Sequence, residues 1–211
     1  MTPAVQAAYA QTHRRYHTRA HIDACLTKLA AVPVLSDPDR RLLTWAIWWH
    51  DAVYDPTRGD NEDASAVMAR RDLPALGATA AEIDEVCRLI LLTKGRAVAA
   101  GDRLGALMVS IDLSILGAAP ADYDAYALAV REEYGHVPDA AFRAGRRRVL
   151  LGFVEAPAIF PDPDFRARFE AAARANLARE IAALAEKPTA SAATPPSPAS
   201  GPTPASGRSP R

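Results

Sequence analysis

Apolar residues recur at intervals of three and four along most of the first 187 residues, a spacing that is typical of amphipathic α-helices. Ser36-Asp37-Pro38 has the composition of a helix start, because a capping side chain precedes a proline that lacks an N–H. Thr79 and Glu82 have the spacing of a capping box at the start of another helix. The same periodicity predicts helices over residues 139–155 and 164–186. Since no segment keeps a period-two alternation between hairpin turns, we predict an all-α fold.

The composition changes abruptly after Lys187. Residues 188–211 are almost all Pro, Ala, Ser, Thr and Gly, and none of them has a large apolar side chain. Such a segment buries too little surface to offset the entropy that is lost on ordering. We therefore predict one helical domain over residues 1–187 and a disordered tail over residues 188–211.

The chain of 211 residues balances 25 Lys and Arg against 25 Asp and Glu, so its formal net charge is zero. This balance argues against nucleic acid or a membrane as partner, because binding to either is favoured by an excess of basic residues. The most apolar stretch, residues 104–119, is interrupted by Asp112 and is shorter than a bilayer span. Cys25 and Cys87 lack a CxxC spacing and are expected to be packed, reduced thiols. Together these features predict a soluble, cytoplasmic protein.

Three short segments place imidazole and carboxyl groups beside apolar residues. His17 and His21 are four residues apart and would share one face of a helix. His50 and Asp51 follow an apolar helix that is suited to burial, and Asp112 lies inside an apolar run. A buried carboxylate is costly unless it is paired or bound to a cation. His21, His50, Asp51 and Asp112 are therefore a candidate site for a divalent cation such as Mn, Fe, Co, Ni, Zn or Mg, one per chain.

The order of these groups, a histidine, a His-Asp pair and a later aspartate, resembles the HD superfamily of metal-dependent phosphohydrolases. The nearest likeness is to a bacterial subfamily labelled "predicted metal-dependent HD phosphohydrolase". The resemblance covers nearly all of the chain before the tail, and it rests on residues 15–22, 50–55, 61–66, 112–117, 123, 126, 131–134, 145–146 and 173–177. It implies an HD-domain-like helical bundle that hydrolyses phosphate mono- or diesters of a nucleotide or small phosphorylated metabolite with a metal-activated water.

The resemblance also implies roles for other residues. Tyr16-His17-x-x-x-His21 is similar to the opening motif of the cyclic-nucleotide phosphodiesterases, which makes His21 the ligand and His17 the general acid. The reverse assignment of His17 and His21 remains open. Glu62 is the candidate proton acceptor, although an acidic residue at a helix start, capped by Asp60 or Asn61, is an equal alternative.

Phosphate binding calls for cationic side chains, because guanidinium groups pair well with phosphoryl oxygens. The candidates in this chain are Arg15, Lys94, Arg96, Arg131 and Arg146. Four of them, Arg15, Lys94, Arg131 and Arg146, are our predicted substrate-binding residues, although a place on a solvated helix face is the commoner explanation for most such residues. The motif positions of Arg131 and Arg146 favour them further.

The chain departs from the family pattern in two places. Thr93-Lys94-Gly95-Arg96 lacks the histidine that relatives often carry after the threonine, and Ser110 stands where an additional acidic residue is common. Both departures favour a mononuclear site or altered contacts with the substrate. Two alternatives remain open: a non-catalytic helical module that binds metal or nucleotide, and a di-iron oxygenase, which needs extra histidine ligands.

Overall fold

The computed structural model describes residues 1–185, and within them the chain is helical with no β-strand. The predicted all-α fold is confirmed. Nine α-helices follow one another in this part of the chain: α1 (Pro3–Ala8), α2 (Arg19–Ala30), α3 (Asp37–Trp49), α4 (Asn61–Asp72), α5 (Ala80–Gly95), α6 (Arg103–Asp112), α7 (Pro120–Glu133), α8 (Asp139–Glu155) and α9 (Pro163–Ala185). Short 3₁₀ turns extend α4 (Leu73–Leu76) and α6 (Leu113–Gly117). The predicted tail, residues 188–211, lies outside the described residues.

The helix starts use the capping residues that the sequence predicts. The Ser36 hydroxyl accepts a hydrogen bond from the Asp39 N–H at 3.2 Å, and a proline occupies the first turn of α3. At the start of α5 the Thr79 hydroxyl accepts the Glu82 N–H, while the Glu82 carboxylate accepts the Thr79 N–H at 2.9 Å. These contacts satisfy N–H groups that have no partner inside the helix.

Helix α2 begins later than the spacing of its histidines suggests. The helix starts at Arg19 with Thr18 as its N-cap, so His21 is helical and His17 lies in the turn before it. The expectation that both imidazoles share one helical face is therefore wrong. The Thr18 side chain makes no capping hydrogen bond, and the turn is held in another way by α7.

Helix α3 lies at the centre of the bundle and packs against α2, α4, α5 and α6. Its apolar face and those of α5 and α6 form one continuous core. The largest fully buried side chains of these three helices are Leu43, Ile47, Trp49, Leu89, Ile90, Met108 and Ile111. Both cysteines are buried and free, as predicted.

Helix α9 covers the 3₁₀ turn that follows α6. The turn and α9 approach so closely that a Cβ on Gly117 would lie 2.6 Å from the Cβ of Phe169. The buried Asn176 amide donates hydrogen bonds to the carbonyl oxygens of Leu116 and Ala118, at 2.9 and 3.0 Å. These contacts anchor the chain immediately after Asp112.

Within residues 1–185, no single helix is both long and apolar enough to cross a bilayer. One pair, Arg103–Gly117 with Pro120–Glu133, meets the length and composition only when its two pieces are joined across a bend of 103°.

The core predicts unequal effects at neighbouring positions of α5. We expect Ile90→Ala to lower the free energy of unfolding by about 2–5 kcal/mol, because it leaves a cavity beside α3. Leu91 is 41% exposed, so Leu91→Ala should cost less than about 1 kcal/mol. Urea unfolding followed by circular dichroism measures both values, and equal losses would contradict this account of the core.

Candidate metal centre

The four predicted ligands converge from three parts of the bundle. His21 lies in the first turn of α2, His50 is the C-cap of α3 and is followed by Asp51, and Asp112 is the last residue of α6. The imidazoles are almost fully buried, with side chains 3% and 1% exposed for His21 and His50. The carboxylates of Asp51 and Asp112 are 18% and 22% exposed. The cluster therefore has a buried nitrogen side and a carboxylate side that solvent reaches.

Five pairs of donor atoms in the cluster are 3.0–3.7 Å apart. The Nε2 atoms of His21 and His50 are 3.2 Å apart. Asp51 Oδ2 is 3.0 Å from His50 Nε2 and 3.7 Å from His21 Nε2. Asp112 Oδ1 is 3.3 Å from His21 Nε2 and 3.4 Å from His50 Nε2. The sequence-predicted ligands are thus neighbours in the folded chain.

These spacings match the edges of a coordination polyhedron. Nitrogen and oxygen ligands bind first-row divalent cations at about 2.1 Å, so two ligands at a right angle are about 3.0 Å apart and two at the tetrahedral angle about 3.4 Å apart. The five measured distances, 3.0–3.7 Å, cover this range. A mixed set of two imidazoles and two carboxylates suits the harder transition metals as well as zinc.

The second nitrogen of each imidazole has its own neighbour. His50 Nδ1 is 2.9 Å from the Ile47 carbonyl oxygen, which can only accept, so Nδ1 carries a proton and Nε2 is the nitrogen that faces the cluster. Cys25 Sγ lies 3.8 Å from both ring nitrogens of His21. The sulfur also groups with the ligand atoms of His21 and Asp112 within 4.8 Å. Cys25 thus lies beside the centre, where burial raises the pKa of its thiol.

The two carboxylates of the cluster need a positive charge beside them. Burial acts to lower the pKa of His50, but Asp51 and Asp112 outweigh it and raise the pKa well above its ordinary value. Burial acts to raise the pKa of each aspartate, yet the imidazoles lower both. In Asp51 the lowering comes from His50 and His17, and in Asp112 from His21 and His50. Two carboxylates in this setting are stable only beside a protonated imidazole or a cation.

A buried arginine joins the turn before α2 to the turn after α3. Arg14 donates to the carbonyl oxygens of His17, Asp51 and Ala52 at 3.0, 2.7 and 3.0 Å. Each of these oxygens belongs to a segment that carries a site residue or adjoins one. Because one planar guanidinium binds all three carbonyls, the two turns hold a fixed separation. The sequence did not single out Arg14.

His17 belongs to a second polar cluster, centred on Glu133 at the end of α7. One oxygen of Glu133 accepts the backbone N–H groups of Arg15, Tyr16 and His17 at 2.7, 2.8 and 3.0 Å. The other oxygen lies 2.7 Å from His17 Nδ1 and accepts the Tyr54 hydroxyl at 2.8 Å. Burial acts to raise the pKa of Glu133, but His17 and these N–H groups lower it to about 2.

This arrangement orients His17 toward the metal ligands. Its ring stacks on Tyr54, with centroids 4.0 Å apart, and its centroid is 6.1 Å from that of His21. Since Nδ1 faces Glu133, Nε2 is the ring nitrogen that is turned away from Glu133. Sequence reasoning missed the role of Glu133, although it lies in the motif of residues 131–134 that contributed to the family resemblance.

The remaining predicted site residues lie around or away from the cluster. Glu62 is in the first turn of α4 and makes no hydrogen bond or ion pair within residues 1–185, although its charge reaches Arg96 and Tyr134. Asp60 is the N-cap residue of α4, but its side chain makes no capping hydrogen bond. Lys94 pairs with the exposed Asp63 at 2.6 Å.

The three predicted arginines have partners within the fold. Arg15 pairs with Glu132 at 3.2 Å and donates to backbone carbonyls. Arg131 donates to the carbonyl oxygens of residues 134 and 137 and so closes the turn after α7. Arg146 forms a two-point pair with Glu180, at 2.8 and 3.2 Å, and donates to the Tyr126 hydroxyl at 3.2 Å. Their role in substrate binding stays a prediction.

Ser110, two residues before the ligand Asp112, makes its hydrogen bond outside the cluster. Ser110 is fully buried, and its hydroxyl accepts the Asp162 N–H at 3.0 Å, which fixes the start of α9. Asp162 in turn accepts the N–H groups of Asp164 and Phe165, both at 3.0 Å. A serine at this position therefore serves packing against α9.

No family model, curated protein or solved structure matches this chain. What the centre can do follows from its chemistry. Two buried imidazoles, two partly exposed carboxylates and a carboxylate-oriented histidine together form a set that can hold a divalent cation and deliver a proton beside it.

Removal of one carboxylate tests the cation site. We expect Asp112→Asn to weaken binding of Mn²⁺ or Zn²⁺ at least tenfold, because the amide is a poorer ligand without charge. In the native chain a cation at about a hundred times its Kd should add roughly 2.7 kcal/mol to the free energy of unfolding, and the variant should lose this gain. Metal content by mass spectrometry and thermal unfolding measure both effects. Asp84→Asn, which breaks only an exposed pair with Arg70, is the matched control, and equal metal binding by both variants would exclude the site.

The lowered pKa of Glu133 predicts a contribution to stability in mild acid. A carboxyl group whose pKa falls on folding stabilises the folded state. The contribution is complete at pH values above the group's ordinary pKa of 4.5, and it is lost as the pH drops toward the folded-state pKa of about 2. Between pH 6 and pH 3 the free energy of unfolding of the native chain should therefore fall by roughly 2 kcal/mol more than that of the Glu133→Gln variant. Urea unfolding at several pH values measures the difference, and parallel curves for the two proteins would contradict the assignment.

Proposed function

We propose that this protein is a metal-dependent hydrolase of phosphate mono- or diesters that acts on a nucleotide or a small phosphorylated metabolite. The observation that carries the proposal is the convergence of His21, His50, Asp51 and Asp112 with ligand-atom separations of 3.0–3.7 Å. The proposal would place the chain among the HD-superfamily phosphohydrolases that its motifs resemble.

The chemistry of the donor set supports a hydrolytic centre. A divalent cation held by these four residues would acidify a bound water and polarise a phosphoryl oxygen. The solvent-exposed edges of Asp51 and Asp112 leave one side of the cluster open to a substrate, while the imidazole side is closed by the core. One cluster of this kind supports one cation per chain.

His17 is suited to donate a proton to the leaving oxygen. Glu133 binds Nδ1 at 2.7 Å and Tyr54 supports one face of the ring, so the imidazole has a fixed orientation. An imidazole that is held in place can act as a general acid. The other oxygen of Glu133 accepts the backbone N–H groups of residues 15–17, so the backbone that carries the proton donor is also held in place.

A panel of phosphorylated compounds tests the proposal. Purified protein loaded separately with Mn²⁺, Ni²⁺, Co²⁺, Zn²⁺ or Mg²⁺ is assayed on nucleotides, sugar phosphates and the nitrophenyl mono- and diesters. We expect turnover with at least one metal, and none for Asp112→Asn. Stoichiometric metal without turnover on any compound would favour a non-catalytic binding module instead.

Substitution of His17 separates proton donation from metal binding. We expect His17→Ala to lower kcat by about 10²–10⁴ on esters with a poor leaving group, and much less on nitrophenyl esters, whose leaving group needs no proton. Metal content should not change. His136→Ala, at an exposed loop position, is the control. A uniform loss on both kinds of ester would contradict a role in proton donation.

A further inference from the structure

The ring of Tyr16 packs against both histidines of the turn and helix that follow it. Its centroid is 4.8 Å from that of His21, a ligand of the candidate metal centre, and 5.0 Å from that of His17, the proposed proton donor. A third ring, that of Tyr126, packs against Tyr16 with centroids 4.6 Å apart. Because three rings contact it, the phenol has a fixed place beside the centre.

The hydroxyl of Tyr16 makes no hydrogen bond within residues 1–185, where only its backbone N–H and carbonyl take part in such bonds. Four other tyrosine hydroxyls are bonded inside the fold, those of Tyr9, Tyr54, Tyr123 and Tyr126. In the same part of the chain the Trp49 indole N–H is the only fully buried side-chain polar group without a partner, so solvent reaches the Tyr16 hydroxyl. A phenol that is packed through its ring and unpartnered at its hydroxyl can bond to a ligand.

The neighbours of Tyr16 belong to the solvent-reached part of the site. The His17 side chain is 21% exposed, much as the carboxylates of Asp51 and Asp112 are. One oxygen of each carboxylate lies 3.3–3.7 Å from Nε2 of His21, whose ring Tyr16 contacts. Burial, and to a smaller extent these two carboxylates, raise the pKa of Tyr16 well above its ordinary value, so the hydroxyl keeps its proton and can donate.

A phosphoryl group at the centre needs hydrogen-bond donors that the ligand set does not supply. Imidazole and carboxylate atoms that bind a cation are acceptors facing the metal, and they donate nothing to a substrate from that side. The basic residues predicted to bind substrate are each bonded to other groups of the fold, as is the case for Arg15, Lys94, Arg131 and Arg146. The Tyr16 hydroxyl is a donor beside the centre that the fold does not engage.

We propose that Tyr16 is a substrate-binding residue of this centre and that its hydroxyl donates a hydrogen bond to an oxygen of the bound phosphoryl group. The inference rests on the proposed function, because it assumes a phosphoryl group at the cluster. It places substrate recognition on the residue that precedes the proton donor, whose backbone Glu133 already holds.

Binding of inorganic phosphate to the Mn²⁺-loaded protein, measured by titration calorimetry, tests this assignment without reference to turnover. Tyr16→Phe removes the hydroxyl and keeps the ring that packs against the histidines. We expect phosphate binding to weaken about tenfold or more, as the loss of a hydrogen bond to a charged group does. Mn²⁺ content and the free energy of unfolding should stay at their native values, because the hydroxyl has no partner in the described fold.

Tyr123→Phe is the matched control, because it removes a phenol hydroxyl that donates to Glu180 inside the fold. We expect this variant to unfold at a lower urea concentration and to bind phosphate as the native protein does. The two substitutions therefore have opposite effects on stability and on phosphate affinity. Equal losses of phosphate affinity in both variants would contradict a specific role for Tyr16.

The outcomes separate this inference from the proposed function. Native affinity for phosphate, or an unchanged kcat/KM on an ester that the native protein hydrolyses, overturns the role of Tyr16 and leaves the hydrolase proposal in place. Loss of Mn²⁺ in Tyr16→Phe also overturns it, because the hydroxyl would then support the metal site rather than the substrate. A native protein that binds Mn²⁺ but neither binds phosphate nor hydrolyses any ester overturns the proposed function, and the assignment of Tyr16 falls with it.

Discussion

The structure depends on the crowding of two carboxylates and two imidazoles at the meeting point of α2, α3 and α6. Their ligand atoms are 3.0–3.7 Å apart, and the imidazoles are almost wholly removed from solvent. Such a group is electrostatically stable only if it retains a proton or holds a cation. The surrounding contacts resist any relaxation: Arg14 binds the turns on either side, His50 is tied to its own helix, and α9 anchors the chain after Asp112. A divalent cation is therefore the ligand that we propose for this arrangement.

Much of the fold and the ligand set is predictable because the signals are local. Ser36 and the Thr79–Glu82 pair mark helix starts through contacts three residues apart, and the structure reproduces both. The ligands can be found in the sequence for a related reason. A carboxylate at the end of an apolar helix, as at Asp112, is costly to bury and does not contribute to apolar packing. Polar residues in apolar segments therefore indicate the centre before any fold is known.

The contacts of His17, which we propose as the proton donor, escape the same reasoning because they are distant in sequence. His17 and Glu133 are separated by 116 positions, and the helical spacing of His17 and His21 suggests a shared face that the structure does not have. Helix α2 begins at Arg19 because the preceding N–H groups bond to Glu133 instead. A carboxylate from a distant part of the chain thus replaces a local capping residue, and no residue within the range 15–21 indicates this contact. Ser110 is a similar case, since only the packed α9 shows which way its hydroxyl points.

The basic residues show why charge in a sequence differs from charge that is available to a ligand. Arg146 has a motif position, yet its guanidinium is engaged by Glu180 and Tyr126. That engagement also supports Tyr126, which contacts Tyr16; the Tyr16 ring centroid is 5.0 and 4.8 Å from those of His17 and His21. Arg146 therefore acts on the centre through packing, by supporting the aromatic residue beside both histidines.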